Sequence, residues 1–401
     1  MIYVITLGVI LSVTMVSATL LMRGVSEASL SERSRSQLAA LHLADAAVDQ
    51  AAINLRTPSD VTDDVTSGAL PTGTFTMDAP PTAVGSLQWR VNTHGISARD
   101  PAFPRHVEAV FQLTPTSLFQ FALFGDQNVN ISGNAVTDSY DSRRGPYNDG
   151  DDDDGLVNVG HRGDVGTNAT TQGGVAVNGS IFVDGQVKVG PNVADPISVV
   201  SGYNAAFITG GTSPPSDDQD VVSQPQPFPL FSISVPQGLT CSDLEVQGRR
   251  TVTLSSSGGP LGNGTYCFDD LDVRGGGQLT ADGPVKLYLT GDLRLGGNSS
   301  SGGGASVGVA GDPTKMVILI TSTGARFEGS VSGSAKFYGA IYGPEATLTI
   351  SGNAEMFGAI VADVVNLTGN AVIHRDEALT SRTDFSNQSR TTLISWREIK
   401  P

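Results

Sequence analysis

The first 22 residues of the chain, Met1 to Met22, contain no charged side chain. An α-helix rises about 1.5 Å per residue, so this apolar run is long enough to cross about 30 Å of hydrocarbon. The helical pattern continues beyond it, because no proline precedes Pro58 and no glycine lies between Gly24 and Gly68. The sequence therefore predicts one helix over residues 1–56, on the order of 80 Å long.

The two halves of this helix differ in their apolar pattern. The first half is apolar all round, which suits a bilayer, and the second half carries one apolar stripe, which suits a packed bundle. The stripe recurs at steps of three and four residues: Leu38, Leu41, Ala44, Val48, Ala52 and Leu55. The residues that we expect to drive helix packing are Ile5, Leu11, Leu21, Leu38, Leu41, Val48 and Leu55.

Two other interpretations of the N-terminal segment stay open. A cleaved signal peptide is one, because Val16-Ser17-Ala18 is similar to a small-residue cleavage site. However, the chain begins Met1-Ile2-Tyr3 without a basic region, and its apolar run is longer than that of a typical signal peptide. An ordinary single-span membrane anchor is the other interpretation.

The stretch from Leu21 to Arg56 resembles the N-terminal region of PilX-type minor pilins. The family's small-residue motif corresponds here to Leu43-Ala44-Asp45-Ala46-Ala47-Val48-Asp49. The resemblance implies a subunit of a type IV pilus-like filament, with itself or other pilin-like subunits as partners. Ile5 stands where a major pilin carries a glutamate, and no basic leader precedes Met1. These departures favour a minor, tip or atypical subunit, and leave open whether a leader has been removed.

Composition narrows the function classes. The 401 residues give room for two or three domains, and 48 glycines with only 6% aromatic residues favour thin, regular β layers. The net charge of -16 disfavours nucleic-acid binding, because there is no basic stripe to neutralise phosphates. An acidic surface suits a protein outside the cell.

The segment 57–118 changes to the period of two that is typical of strands. Alternating runs at Thr74–Met77, Leu87–Asn92 and His106–Leu113 are separated by clusters of proline, glycine and aspartate. We predict a small antiparallel sheet that buries one face on the second half of the helix.

The largest part of the chain, residues 119–385, is repetitive. Phe337–Ile341 returns as Met356–Ile360 after 19 residues, and Ser332-Gly333-Ser334-Ala335 has related copies that begin at Ser351, Thr368 and Ser132. Short alternating strands with glycine or asparagine at the bends, repeated about every 18 residues, predict a parallel β-solenoid. An antiparallel sandwich is the alternative. The fold class is therefore mainly β, with a long N-terminal helix.

Two segments interrupt or follow the repeat. Residues 191–240 contain proline-rich runs, so an excursion or strap is expected there instead of a stacked coil. Residues 386–401 lose the repeat and are expected to form a tail that caps the stack.

The repetitive region also resembles an uncharacterised domain that is often fused to PilX-type N-termini. The resemblance rests on Phe121–Gly125 and Gly369–Leu379. It implies surface display and no known catalytic residues.

An acidic loop is the strongest candidate for cation binding. Five aspartates lie close together in one turn: Asp149, Asp151, Asp152, Asp153 and Asp154. Ca²⁺ is the cation that such a cluster would bind. The EF-hand pattern fails, because the sixth and twelfth positions from Asp149 hold Asp154 and Gly160. A hydrated acidic loop without metal is the alternative.

The two cysteines, Cys241 and Cys267, are expected to form a disulfide in an exported protein, although two unrelated buried thiols are the alternative.

A second polar cluster consists of His374, Asp376 and Glu377, for which a capping turn is favoured over a hydrolase site. The five histidines show no pair at metal-ligand spacing, and neither a nucleophile elbow nor a phosphate-binding loop is present in the sequence.

These features predict a protein that is not an enzyme. They identify no cofactor with certainty, and Ca²⁺ in the acidic loop is the one candidate. The leading hypothesis is a filament subunit, anchored in the inner membrane before assembly, that displays its solenoid at the cell surface for adhesion or spacing. The alternative is a membrane-anchored β-helix that binds or cleaves surface polysaccharide.

Overall fold

The computed structural model describes residues 2–55, 64–85, 87–115, 117–150, 157–209, 220–297, 304–321, 328–382 and 389–400. They form two compact units. The first unit, called the helix unit, comprises Met1–Thr116 and Ser386–Pro401. The second, called the parallel unit, comprises Ser117–Phe385.

Within the described residues, one long helix and 26 strands are present. Their bounds are α1 (Ile2–Asn54), β1 (Ser67–Leu70), β2 (Gly73–Met77), β3 (Thr82–Gly85), β4 (Gln88–Ser97), β5 (Asp100–Pro115), β6 (Leu123–Gly133), β7 (Val136–Tyr140), β8 (Val165–Thr167), β9 (Val175–Gly179), β10 (Phe182–Val183), β11 (Val187–Val189), β12 (Val200–Ser201), β13 (Val221–Ser223), β14 (Ser242–Gln247), β15 (Thr251–Leu254), β16 (Thr265–Arg274), β17 (Gln278–Ala281), β18 (Val285–Leu289), β19 (Leu293–Gly297), β20 (Ser306–Gly308), β21 (Met316–Ile320), β22 (Glu328–Gly333), β23 (Lys336–Ile350), β24 (Glu355–Leu367), β25 (Val372–Asp376) and β26 (Ser389–Ile399). Short 3-10 helices lie at Ser142–Arg144, Pro196–Val199, Ala205–Phe207, Pro313–Lys315 and Glu377–Ser381.

In the helix unit, an antiparallel sheet packs against the second half of α1. The strand order is β1-β2-β4-β5-β26, with β3 paired to β4. Buried apolar residues of α1, among them Val48 and Leu55, join Val91 and Val107 of the sheet in one core. Gly95 permits this close approach, because a Cβ there would lie 2.1 Å from the carbonyl oxygen of Ala40. The predicted long helix and small antiparallel sheet are both present.

The C-terminal segment corrects one prediction. Residues 386–401 were expected to cap the stack, but Ser389–Ile399 instead pairs antiparallel with β5 and forms an edge of the sheet in the helix unit. The Trp396 indole Nε1 donates a hydrogen bond to Asp45 of α1 over 2.9 Å. The segment lost the repeat because it belongs to a different sheet.

In the parallel unit, every pairing between the named strands is parallel, which rules out the antiparallel sandwich. The strands stack in three ladders, and the long strands take part in more than one of them. The first ladder runs β16-β18-β21-β23-β24-β6-β8-β11-β13, the second β14-β16-β19-β22-β23-β24-β6-β9-β12, and the third β15-β17-β20-β23-β24-β25-β7-β10.

The register of the stack follows the sequence repeat. Phe337 pairs with Met356 and Ile341 with Ile360, which is the 19-residue shift seen in the sequence. Alternate side chains point inward and form one continuous apolar core along the unit. The repeat therefore marks which residues occupy equivalent positions in successive coils.

The order of coils in space differs from their order in the chain. β24 stacks directly on β6, and β25 stacks on β7, so the first coil of the unit lies beside the last. At this junction the Asn134 side-chain amide donates to Asn370 Oδ1 over 2.9 Å, and Asn370 donates in turn to Asn353 over 3.0 Å. The chain thus enters the stack at β6, in its middle, and adds coils up to β13 at one end. The coils from β14 to β24 then fill the other side and end beside β6.

A strap, residues 224–241, then carries the chain from β13 at one end of the first ladder towards β14 at the other end of the stack. Eight steps of about 4.8 Å separate the ends of this ladder, about 40 Å, which an extended segment of this length can span. Phe228, Leu230 and Phe231 of the strap pack on the outer side of the ladder. An excursion is expected over 191–240, but β12 and β13 within that range are stacked strands.

Candidate functional site

The N-terminal half of α1 is the most unusual surface in the described part of the chain. Every described side chain from Ile10 to Arg35 is exposed. The large apolar side chains in this half are between 58% and 74% exposed: Leu7, Ile10, Leu11, Val13, Met15, Val16, Leu20, Leu21, Met22, Val25 and Leu30. Soluble proteins rarely leave such a large apolar surface uncovered, which indicates a surface for lipid or for other helices.

This half of the helix meets the length and composition needed to cross a membrane. Thr14 and Thr19 do not add unpaired polar groups, because each hydroxyl donates to a backbone carbonyl one turn earlier, at Ile10 and Met15. Arg23 is the first charged residue and forms an ion pair with Glu27 over 3.1 Å. The apolar surface therefore ends at a charged boundary.

The seven residues expected to drive helix packing separate into two groups. Leu11, Leu21 and Leu38 are exposed and belong to the open surface. Leu41, Val48 and Leu55 instead pack on the sheet of the helix unit, so they hold α1 to its own fold. Ile5 lies in α1, but its side chain is outside the described part of the structure.

The parallel unit carries a second distinctive feature, a ladder of side chains on its third face. Tyr338, Phe357, His374 and Asp138 occupy the same register position on β23, β24, β25 and β7. The Tyr338 and Phe357 rings stack at 4.7 Å, and the Phe357 and His374 rings at 4.9 Å. We call this set with Tyr147 and Glu355 the junction cluster, because it joins the first and last coils.

His374 is the centre of the junction cluster. Its Nδ1 lies 2.7 Å from Asp138 Oδ1, and its Nε2 lies 3.5 Å from Glu355 Oε1. Tyr147 covers the imidazole at 3.8 Å between ring centroids and donates its hydroxyl to Asp138 over 2.8 Å. Residues 236 positions apart in the chain are thereby held together.

Electrostatics in the cluster favour a charged imidazole. Burial lowers the pKa of His374, but the hydrogen bonds with Asp138 and Glu355 outweigh burial and raise this pKa above 6.5. The hydrogen bond with His374 is the main cause that lowers the pKa of Glu355 from 4.5 to about 2, and Lys336 adds to it. The cluster is therefore an ion pair network.

We expect the junction cluster to make stability depend on pH in both directions. The contribution of His374 is complete below pH 6.5 and is lost as the pH rises through its raised pKa. That of Glu355, about 1–2 kcal/mol after allowance for solvent screening, is present above pH 4.5 and lost towards pH 2. In urea unfolding at pH 5.5, His374→Gln should be about 2–4 kcal/mol less stable than the wild type. As the pH rises from 6.5 to 9, the wild type should lose stability, and His374→Gln should lack that loss.

His161→Gln is the matched control, because His161 also pairs with one aspartate, Asp184, over 2.8 Å but is half exposed. We expect it to change stability by less than about 1 kcal/mol. An alkaline slope that is the same in His374→Gln and the wild type would contradict the role of His374.

The cluster at Asp376 and Glu377 serves as a capping turn in this structure. Asp376 is fully buried and accepts hydrogen bonds from the backbone amides of Ser142 and Ala378 over 2.9 and 3.0 Å. It is the N-cap of the short helix Glu377–Ser381, and burial raises its pKa. A carboxyl group used in this way is closed to a substrate.

The remaining predicted sites lie elsewhere in the parallel unit. Asp149 follows the 3-10 turn after β7, whereas Asp151, Asp152, Asp153 and Asp154 lie outside the described residues, so the calcium site stays a prediction. Cys241 and Cys267 are joined by a disulfide with 4.6 Å between their Cα atoms. It links the start of β14 to β16 in the neighbouring coil, and closing a loop of this length stabilises by about 3 kcal/mol.

Sequence reasoning missed most of the junction cluster. Asp138, Tyr147 and Glu355 carry no motif, and only contacts between distant parts of the chain bring them to His374. The sequence did contain one signal that these segments are related: the copies that begin at Ser132 and Thr368 mark equivalent corners of two coils, shortly before Asp138 and His374.

Comparison with known proteins gives partial similarities. Residues 269–382, less than a third of the chain, match a family described as Domain of unknown function (DUF7305). No curated protein matches the chain. Among solved structures, the competence-associated pilin ComZ from Thermus thermophilus is 11% identical with a TM-score of 0.27, covering 91% of this chain and 97% of that one.

Two ice-binding proteins are also similar to part of the chain. The Shewanella frigidimarina ice-binding protein_1 DUF3494 domain is 13% identical with a TM-score of 0.36, covering 65% of this chain and 99% of that one. The ice-binding protein of Antarctomyces psychrotrophicus is 15% identical with a TM-score of 0.32, covering 65% and 98%. TM-scores below 0.5 do not identify a common fold, and none of these similarities assigns a function.

Proposed function

We propose that this protein is a structural subunit of a type IV pilus-like extracellular filament, in a minor, tip or atypical position. One observation carries the proposal: α1 packs its second half in its own unit and leaves the described side chains of its apolar first half exposed. Such a helix can be held in the inner membrane and then transferred into a bundle of neighbouring subunit helices. In the bundle, neighbouring helices keep these apolar side chains out of water, which is worth about 25 cal/mol per Å² relative to exposing them to solvent outside the membrane.

The parallel unit, in this proposal, is a β-solenoid displayed at the cell surface for adhesion or spacing. The support is the three ladders of parallel strands and the continuous inward core. The rings of Tyr338, Phe357 and His374 stack on one another, so these three do not offer an open aromatic surface to a sugar. A rigid spacer is therefore favoured over the alternative, a membrane-anchored β-helix that binds or cleaves surface polysaccharide.

Imaging of native surface material tests the filament proposal. Sheared filaments are examined by negative-stain electron microscopy with a gold-labelled antibody against the parallel unit. We expect gold on fibres and its loss when Met1–Met22 is deleted. Uniform labelling of cell envelopes without fibres would overturn the proposal. Retention of polysaccharide binding or cleavage by the deleted chain would support the alternative.

A further inference from the structure

Three side chains of the helix unit meet on the sheet face that points away from α1. His94 of β4 and His106 of β5 are directly opposite each other across the strand pair. Asp78 follows β2, and its backbone amide donates to the carbonyl of Asn92 over 2.9 Å, which places the carboxylate beside the histidines. Their neighbours Thr93 and Val107 are fully buried, as expected if alternate residues point towards α1.

The spacing in the sequence gave no histidine pair, but the sheet register creates one. The imidazole centroids of His94 and His106 are 5.2 Å apart. Asp78 Oδ1 contacts Nδ1 of His94, and Asp78 Oδ2 lies 3.5 Å from Nδ1 of His106. One candidate ligand atom from each of the three residues lies within 4.8 Å of the others. Ligand atoms in a tetrahedral zinc site are about 3.3 Å apart, so small side-chain rotations bring these three to that geometry.

The donor set decides which cation fits. Two imidazole nitrogens and one carboxylate oxygen suit Zn²⁺, whereas Ca²⁺ and Mg²⁺ prefer oxygen ligands alone. The His94, His106 and Asp78 side chains are 22%, 19% and 31% exposed, so solvent and a metal ion can reach them. A divalent cation bound here would take all three side chains as ligands at once.

We propose that Asp78, His94 and His106 form a Zn²⁺ site with three protein ligands and a fourth position open to water. The site ties β4 and β5 to the segment that follows β2. It is independent of filament assembly, because two ligands lie in the sheet, the third directly follows β2, and none lies on the exposed half of α1.

Zinc titration of the full-length chain in detergent micelles tests this site. Competition with a chromophoric chelator, in excess Ca²⁺ to saturate the acidic loop, should reveal one Zn²⁺ per chain. Substitution of a direct ligand in His94→Gln or His106→Gln should weaken binding at least about 100-fold. His161→Gln should leave the affinity unchanged, because His161 has one carboxylate partner and no second histidine beside it among the described residues.

Two further measurements separate ligand loss from misfolding. Asp78→Asn keeps the shape of the side chain and a hydrogen bond to His94 but removes the charge, so it should fold normally by circular dichroism and bind Zn²⁺ more weakly. Co²⁺ added to the wild type should give the intense visible absorption of a four-coordinate site. Absence of that absorption, or equal Zn²⁺ affinity in the wild type and both histidine variants, would overturn the proposal.

Discussion

Replacement of Leu11 by aspartate should abolish incorporation of the subunit into filaments. Leu11 is 62% exposed in the middle of the uncharged run of α1, so the new charge would face lipid first and the neighbouring helices afterwards. A charged residue at the centre of a membrane helix costs about 3 kcal/mol, equivalent to a loss of about 100-fold in insertion. Immunoblots of the sheared-filament and membrane fractions measure both steps.

The same substitution should leave folding intact. Because the Leu11 side chain is exposed, the unfolding free energy should change by less than about 0.5 kcal/mol. Ser31→Asp is the matched control, since Ser31 is exposed on the same helix but lies in the polar segment beyond Arg23. Normal incorporation of Leu11→Asp, or equal loss with Ser31→Asp, would show that the apolar half does not drive assembly.

Replacement of Gly358 by alanine should destabilise the parallel unit by at least about 4 kcal/mol. Gly358 and Gly339 pair in successive coils, and a Cβ on Gly358 would lie 1.7 Å from the carbonyl oxygen of Gly339. Its φ of +146° adds strain for any residue with a side chain. The clash is with backbone inside a ladder, so it cannot be relieved by rotating a side chain. Urea unfolding followed by far-ultraviolet circular dichroism measures the loss.

Gly262→Ala separates strain from steric clash. Gly262 also has a positive φ, +67°, but a Cβ there meets no atom within 4 Å. We expect this control to cost about 1–2 kcal/mol, the price of a left-handed residue alone. If both variants were destabilised equally, the close stacking of Gly339 on Gly358 would not limit the spacing of the coils.

Local features of the sequence were sufficient for the elements. The uncharged run Met1–Met22, followed by a stretch with no proline before Pro58 and no glycine between Gly24 and Gly68, predicted α1 close to its observed bounds, Ile2–Asn54. The 19-residue repeat predicted the pairing of the first part of β23 with β24, from Lys336 on Glu355 to Gly343 on Ala362; beyond an irregularity the shift becomes 17 residues, as for Thr347 on Val364. Both predictions succeed because helix period and coil register depend on side chains that are near in the chain.

Contacts between distant segments were not predictable in the same way. β26 joins β5 across almost 300 residues, and its alternating pattern would suit either sheet. His94 and His106 meet through the pairing of two strands, a partnership that their separation in the chain does not signal. Each depends on which strand edge is available after the rest of the fold has formed.

The sequence by itself determined a long apolar helix, a small antiparallel sheet and a repeat of parallel strands with glycine at the bends, since each follows from periodicity over a few residues. Only the tertiary structure decided that the first coil, at β6 and β7, lies beside the last, at β24 and β25. The physical reason is that coils of similar sequence present similar edges, so local pattern allows several stacking orders. The strap, the asparagine ladder and the buried His374–Asp138 pair favour one of them.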